Sequence, residues 1–128
     1  MSDVAPAIGL HLFQFCRSLA GVTEDVKWGD DLVFSVGKKM FACFALPDGQ
    51  RLSFKVDPIL FESLTARPGV EPAPYLARHH WIQILDATQF PRDVLEDFLE
   101  ASHGIVASKL SRKLRRELGI EEPVDPSR

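Results

Sequence analysis

The sequence predicts an α+β domain, and three observations carry that expectation. The run from Lys27 to Pro58 reads as three short strands joined by two tight turns and closed by a helix-opening proline. The stretches around it repeat apolar side chains at three- and four-residue steps, the period of amphipathic helices. With 128 residues the chain has room for about one hydrophobic core, and 45% hydrophobic residues, among them nine Phe and two Trp, are enough to fill it.

The elements follow in order. Residues 7–19 suit a first helix, with Leu12, Phe15, Cys16 and Leu19 on one stripe and Gly21 just past its end. Thr23 to Asp31 is polar apart from Val26 and Trp28, so a short strand or an extended connector is expected there. Leu32, Phe34 and Val36 alternate, as in a half-buried strand. Gly37-Lys38 can make a two-residue hairpin turn, because glycine accepts positive φ. Met40 to Leu46 is apolar on both faces, which marks an interior strand.

Pro47-Asp48-Gly49-Gln50 is a strong turn sequence. After it Leu52, Phe54 and Val56 face one way, and Ser53 and Lys55 the other. Asp57-Pro58 suits a helix N-cap followed by proline at the first helical position. Ile59, Leu60 and Leu64, with Phe61 beside them, are expected to bury that helix. Pro68, Gly69, Pro72 and Pro74 break regular structure between 67 and 75, and Tyr75 to Ala77 is expected as one helical turn.

Trp81 to Leu85 reads as a further strand, with Trp81 and Gln83 on one face and Ile82 and Ile84 on the other. Pro91 opens a helix buried through Val94, Leu95, Phe98 and Leu99. His103-Gly104 is expected to break it, and a last helix to run from about Ile105 to Leu118. Residues 1–118 are then a single domain and 119–128 a flexible C-terminal tail.

The net charge is −3, which argues against a protein that coats nucleic acid by charge alone. That charge is segregated. Residues 105–118 hold five basic side chains and one acid, whereas the preceding 104 residues are acidic on balance. The N-terminal residues lack a basic segment and a long apolar one, so no secretory signal is expected and a cytoplasmic location is. Cys16 and Cys43 are expected as reduced core thiols.

Read together, Val26-Lys27-Trp28, Val33-Phe34-Ser35-Val36, Gly37 to Ala42, Leu52-Ser53-Phe54-Lys55, Pro74-Tyr75-Leu76 and His80-Trp81-Ile82 form an ordered set. With Ala101-Ser102 and the basic segment after it, that set resembles the MmcQ/YjbR family, small bacterial proteins usually labelled DNA-binding. The resemblance spans roughly residues 8–118. It implies a CyaY-like (frataxin-like) two-layer α+β sandwich, an antiparallel sheet of four to five strands with helices on one face. It also implies a "double wing" contact with DNA through projecting hairpins.

The candidate DNA-contacting residues are cations. Lys109, Arg112, Lys113 and Arg116 share one face of the expected last helix, beside an apolar stripe of Val106, Leu110 and Leu114. The same cations also suit a solvated helix C-terminus. Lys38 and Lys39 lie at one hairpin tip and Arg51 beside the other, where they either reach a phosphate or simply solubilise a turn. Lys55 either binds an anion or lays its methylenes over apolar neighbours.

No catalytic residue, cofactor or metal is expected. Gly-rich phosphate loops, nucleophile elbows and paired-histidine zinc motifs are all missing from the sequence. His79 and His80 are adjacent and would point to opposite faces, so they cannot easily share a metal, although protonation would add positive charge near the sheet end. Glu24, Asp25, Asp30 and Asp31 cluster around Trp28, most simply as a solvated loop. Trp28 and Trp81 are expected in the core or lining a groove. The expected function is non-enzymatic DNA binding through the basic turns and last helix. The alternative is a protein-interaction or small-ligand-binding module using the open sheet face.

Overall fold

A computed structural model describes residues 5–120. Helix α1 (Ala5–Arg17) leads into strands β1 (Val22–Lys27), β2 (Asp31–Val36), β3 (Lys39–Ala45) and β4 (Leu52–Lys55). Helix α2 (Pro58–Thr65), strand β5 (Val70–Pro72), a 3-10 turn (Ala77–His79) and strand β6 (Trp81–Ile84) follow. A second 3-10 turn (Ala87–Gln89) precedes helices α3 (Arg92–Ala107) and α4 (Arg112–Glu117). The strands form one antiparallel sheet in the order β1-β2-β3-β4-β6-β5.

The fold is thus the expected two-layer α+β sandwich, with six strands instead of four or five. The additional strand is β5, which lies in the proline-rich stretch read as a breaker. Pro72 has no N–H to give a ladder, yet β5 is an edge strand with a partner on one side only, where proline is tolerated.

The alternation of β2, β4 and β6 sends Leu32, Phe34, Val36, Leu52, Phe54, Ile82 and Ile84 to one face. There they meet Leu12, Phe13 and Cys16 of α1 and Leu95, Leu99 and Val106 of α3. Phe34 centres an aromatic cluster, with ring centroids 5.8 Å from Phe44, 6.4 Å from Phe13 and 6.5 Å from Phe41. Burying four such rings supplies several kcal/mol of hydrophobic stabilisation, at about 2–3 kcal/mol each. Helix α1 reaches the β3–β4 turn so closely that a Cβ on Gly9 would lie 1.7 Å from the Asp48 carbonyl oxygen. Only glycine allows that approach.

The β2–β3 register slips between Phe34 and Ser35, leaving Phe41 as an extra residue on β3. Phe41 and Ala42 are both buried in the core as a result, and Met40 emerges on the other face.

Three local expectations are corrected. First, His103-Gly104 does not break a helix. Helix α3 runs on to Ala107, and the break falls at residues 108–111 before the short α4. His103 is buried, its Nε2–H donates to the Ala20 carbonyl at 2.8 Å, and its ring stands edge-on to Phe41. That packing outweighs the weak helix propensity of Gly104. Second, α2 turns Phe61 and Leu64 inward, while Ile59 is 83% exposed and Leu60 44%. Third, the helical turn after Tyr75 begins two residues later than expected, at Ala77. The N-cap expectation holds: Asp57 accepts from the Ile59 N–H at 3.0 Å. Among the described residues no helix is long and apolar enough to cross a membrane. Most of the expected tail, residues 121–128, lies outside the described residues.

Candidate functional site

In an antiparallel meander successive turns alternate between the two ends of the sheet, and this sorts the cations. One end carries the Gly37-Lys38 turn, where Val36 pairs with Lys39, and the last residue of β4, Lys55, paired with Trp81. Both central residues of that turn have positive φ, 58° for Gly37 and 69° for Lys38. This is the two-residue turn that matches strand twist.

The chain after α3 is brought to the same end. Leu110 packs on the turn so tightly that a Cβ on Gly37 would lie 2.6 Å from its Cδ1. Leu118, just past α4, packs likewise against Gly21 before β1. Burial lowers the pKa of Lys55, and the nearby charge of Lys109 lowers it further. Lys55 Nζ also donates to the His79 carbonyl at 2.6 Å, so its ammonium is tethered beside Arg78 and His79.

Lys38, Lys39, Lys55 and Lys109 therefore converge on one end, with Arg112, Lys113 and Arg116 exposed on the adjacent α4. Lys109 lies outside the helix that was expected to carry it. Arg51 does not join them. It precedes β4 at the opposite end, where its carbonyl accepts from the Ala45 N–H and where Asp30, Asp31 and Asp48 also lie. The two cation-bearing turns thus sit at opposite ends of the sheet. Arg78 belongs to the basic end although its sequence neighbours drew attention only to histidine. Its signal was the run Arg78-His79-His80 placed directly before a strand.

The sheet's second face is not bare. Met40, Cys43, Ser53 and Gln83 form the floor of a cleft of about 550 Å³. Trp28 and Asp31 bound it from the β1–β2 side, and residues Ala73 to Leu76 from the side of β5 and β6. Trp28 is 69% exposed and Tyr75 97%. Both hold left-handed backbone, φ 53° and 67°, a conformation that costs a bulky residue about 1–2 kcal/mol. Large aromatic rings kept in water on strained backbone are unusual for a purely structural role.

Trp81 is buried and Trp28 lines the cleft while staying exposed, so each takes one of the two placements expected for them. Cys16 is fully buried, and burial pushes its thiol up to about 12. Cys43 departs from the expected core position and forms part of the cleft floor. Burial pushes its thiol up to about 12, and the Asp31 carboxylate adds to the effect by its charge and by accepting a hydrogen bond from the thiol. The acidic cluster of the sequence is divided. Glu24 turns to α1 and pairs with Arg17 in a two-pronged contact of 2.6 and 2.8 Å, which holds its carboxyl below the usual range. Asp31 lines the cleft instead. Among the described residues no group of three or more His, Cys, Asp or Glu is placed to hold a metal ion.

The sequence profile of the YjbR family matches residues 17–105. The chain is similar to protein DR2400 of Deinococcus radiodurans, a crystal structure containing the domain DUF419. The identity is 33%, the TM-score 0.76, and the match covers 89% of each chain. It shares its fold with a protein from Pseudomonas syringae at 19% identity and a TM-score of 0.61, covering 76% of this chain and 97% of that one. No functionally curated protein matches it. The profile spans the sheet, the cleft floor and α3 as far as Ile105, and on that ground the chain belongs to the YjbR family.

Proposed function

We propose that this domain is a non-catalytic, cytoplasmic DNA-associated protein that sets its basic sheet end against phosphates. The observation that carries the reading is the meeting of Lys38, Lys39, Lys55 and Lys109 beside α4, from parts of the chain far apart in sequence. Lysines and arginines gathered at one end of the sheet, with Asp57 and Glu117 as their acidic neighbours in sequence, suit a polyanion held by its backbone. The opposite, acidic end turns a duplex away and so gives the contact a direction. Arg51 has no part in it.

Anisotropy of a labelled duplex at low and moderate salt tests the reading. About five phosphate contacts give log K a slope near −4 to −5 against log salt. Replacing Lys109, Arg112, Lys113 and Arg116 with Gln should abolish binding, and Arg51→Gln should leave it unchanged. No binding at low salt, or a quadruple variant that binds like the parent, rejects it.

A separate observation favours a second reading, a small-ligand-binding module on the sheet's other face. The cleft there has the volume of ordinary ligand sites, which run from about 300 to 1,000 Å³, and a mixed wall of aromatic, apolar and a few polar groups.

A further inference from the structure

We infer that the cleft over the second face of the sheet binds a small organic cation with a flat or N-methylated apolar body, received by Trp28 and Tyr75 with Asp31 as counter-charge. The inference rests on the second reading above, that the cleft holds a small ligand.

Charge decides the class of ligand. Among the described residues Asp31 is the one carboxylate on the wall, and no Lys, Arg or His lines the cleft. Cys43 adds no second negative charge, because its thiol stays protonated up to about pH 12. The cations that could hold an anion are gathered at the end of the sheet instead. A carboxylate or phosphate entering the cleft would meet Asp31 with nothing to balance it, whereas a cation would find a partner already on the wall.

The aromatic groups decide its shape. The electron-rich faces of Trp and Tyr attract cations and stack on flat rings. Here one comes from the β1–β2 turn and one from the loop before β6, so they approach the cleft from opposite flanks. Their exposure leaves their faces available, and their left-handed backbone fixes where each side chain leaves the chain. Met40 extends the apolar floor with a polarisable thioether, and Ser53 and Gln83 offer hydrogen bonds that orient the ligand.

A charge ladder of equal-sized probes tests this: phenethylamine as cation, 2-phenylethanol as neutral analogue and phenylacetate as anion. Titrations are followed at the indole N–H resonance of Trp28, identified by its loss in Trp28→Phe. The expected order is cation, neutral, anion, with about a tenfold gap between the first two. Asp31→Asn should close that gap. Equal binding of the three probes, or a gap that survives Asp31→Asn, overturns the cation and leaves a ligand cleft. If no probe moves the Trp28 resonance, the ligand reading falls as well. Should Asp31→Asn fail to fold, Tyr75→Ala removes a side chain from the surface. It must weaken phenethylamine several-fold, and unchanged affinity overturns the inference.

Discussion

The hydroxyl of Ser102 stands between β3 and β4, accepting from the Lys55 N–H at 3.0 Å while donating to the Phe41 carbonyl at 2.6 Å. The β3–β4 ladder pairs Ala42 with Phe54 and goes no further. Phe41 is the extra residue of the bulge, so its carbonyl has left the regular ladder. Ser102 is wholly buried on α3 and closes the gap, tying a helix to two strands at the point where Lys55 leaves the sheet.

Ser102→Ala leaves a buried carbonyl and a part-buried N–H without their partner. At about 1–3 kcal/mol for each such group, the expected loss is roughly 2–4 kcal/mol. Urea denaturation measures it, and a loss under about 0.5 kcal/mol would show that the bridge is dispensable.

Lys55 reports the meeting of cations. Its pKa lies below the ordinary 10.5 because of burial first and the charge of Lys109 second. The sign follows directly. At neutral pH Lys55 is charged in both folded and unfolded chains, so the unfavourable contribution is present. Between the lowered folded value and 10.5 the unfolded chain holds more protons, and stability rises with pH through that window. NMR titration of the lysine side chains should show Lys55 titrating early, and Lys109→Gln should move it up. A Lys55 titration indifferent to Lys109 would separate the two residues.

Gly37 holds the hairpin against the basic segment. Asn tolerates positive φ better than other side chains, but its Cβ would still meet Leu110. Gly37→Asn should therefore destabilise the parent by about 1–3 kcal/mol and the Leu110→Ala variant by less, a coupling above about 0.5 kcal/mol in a double-mutant cycle. It should also weaken DNA binding, because Leu110 lies next to Lys109. Additive effects would place Leu110 away from the turn.

The buried thiols set an alkaline limit. Cys16 titrates at about 12 in the folded chain against 9.0 ordinarily. The folded state therefore favours the protonated thiol. That contribution is complete below pH 9 and is lost as pH climbs towards 12, to a total of roughly 4 kcal/mol. Cys16→Ala should flatten the fall in denaturant midpoint over this range, once its own cavity cost is subtracted. Cys43 follows the same sign, and Asp31→Asn should lower its pKa and speed its reaction with an aromatic disulfide reagent. Unchanged reactivity would rule out the Asp31 contact.

Much of the fold was legible because it obeys short-range rules. The alternation of Leu32, Phe34 and Val36, the turn at Gly37-Lys38 and the cap at Asp57-Pro58 each depend on a few neighbouring residues, and each formed as read. What escaped is non-local. Strand β5 exists because β6 pairs with it, against the propensity of its prolines. The helix through His103-Gly104 continues because Ala20 and Phe41 wait for the imidazole. Eight cations were legible as candidates, but their chemistry resembles that of any solvated lysine or arginine.

By itself the sequence determined the order of the main strands and helices, the buried stripes of β2, β4, β6, α1 and α3, and the family, since side-chain periodicity and backbone preference act over a few residues. Tertiary structure alone decided that Lys38, Lys55 and Lys109 meet at one end while Arg51 lies at the other. It alone placed Trp28 and Tyr75 on one cleft. The reason is geometric. In an antiparallel sheet, which end and which face a residue occupies depends on strand direction and register, and a single bulge such as that at Phe41 resets both for everything beyond it.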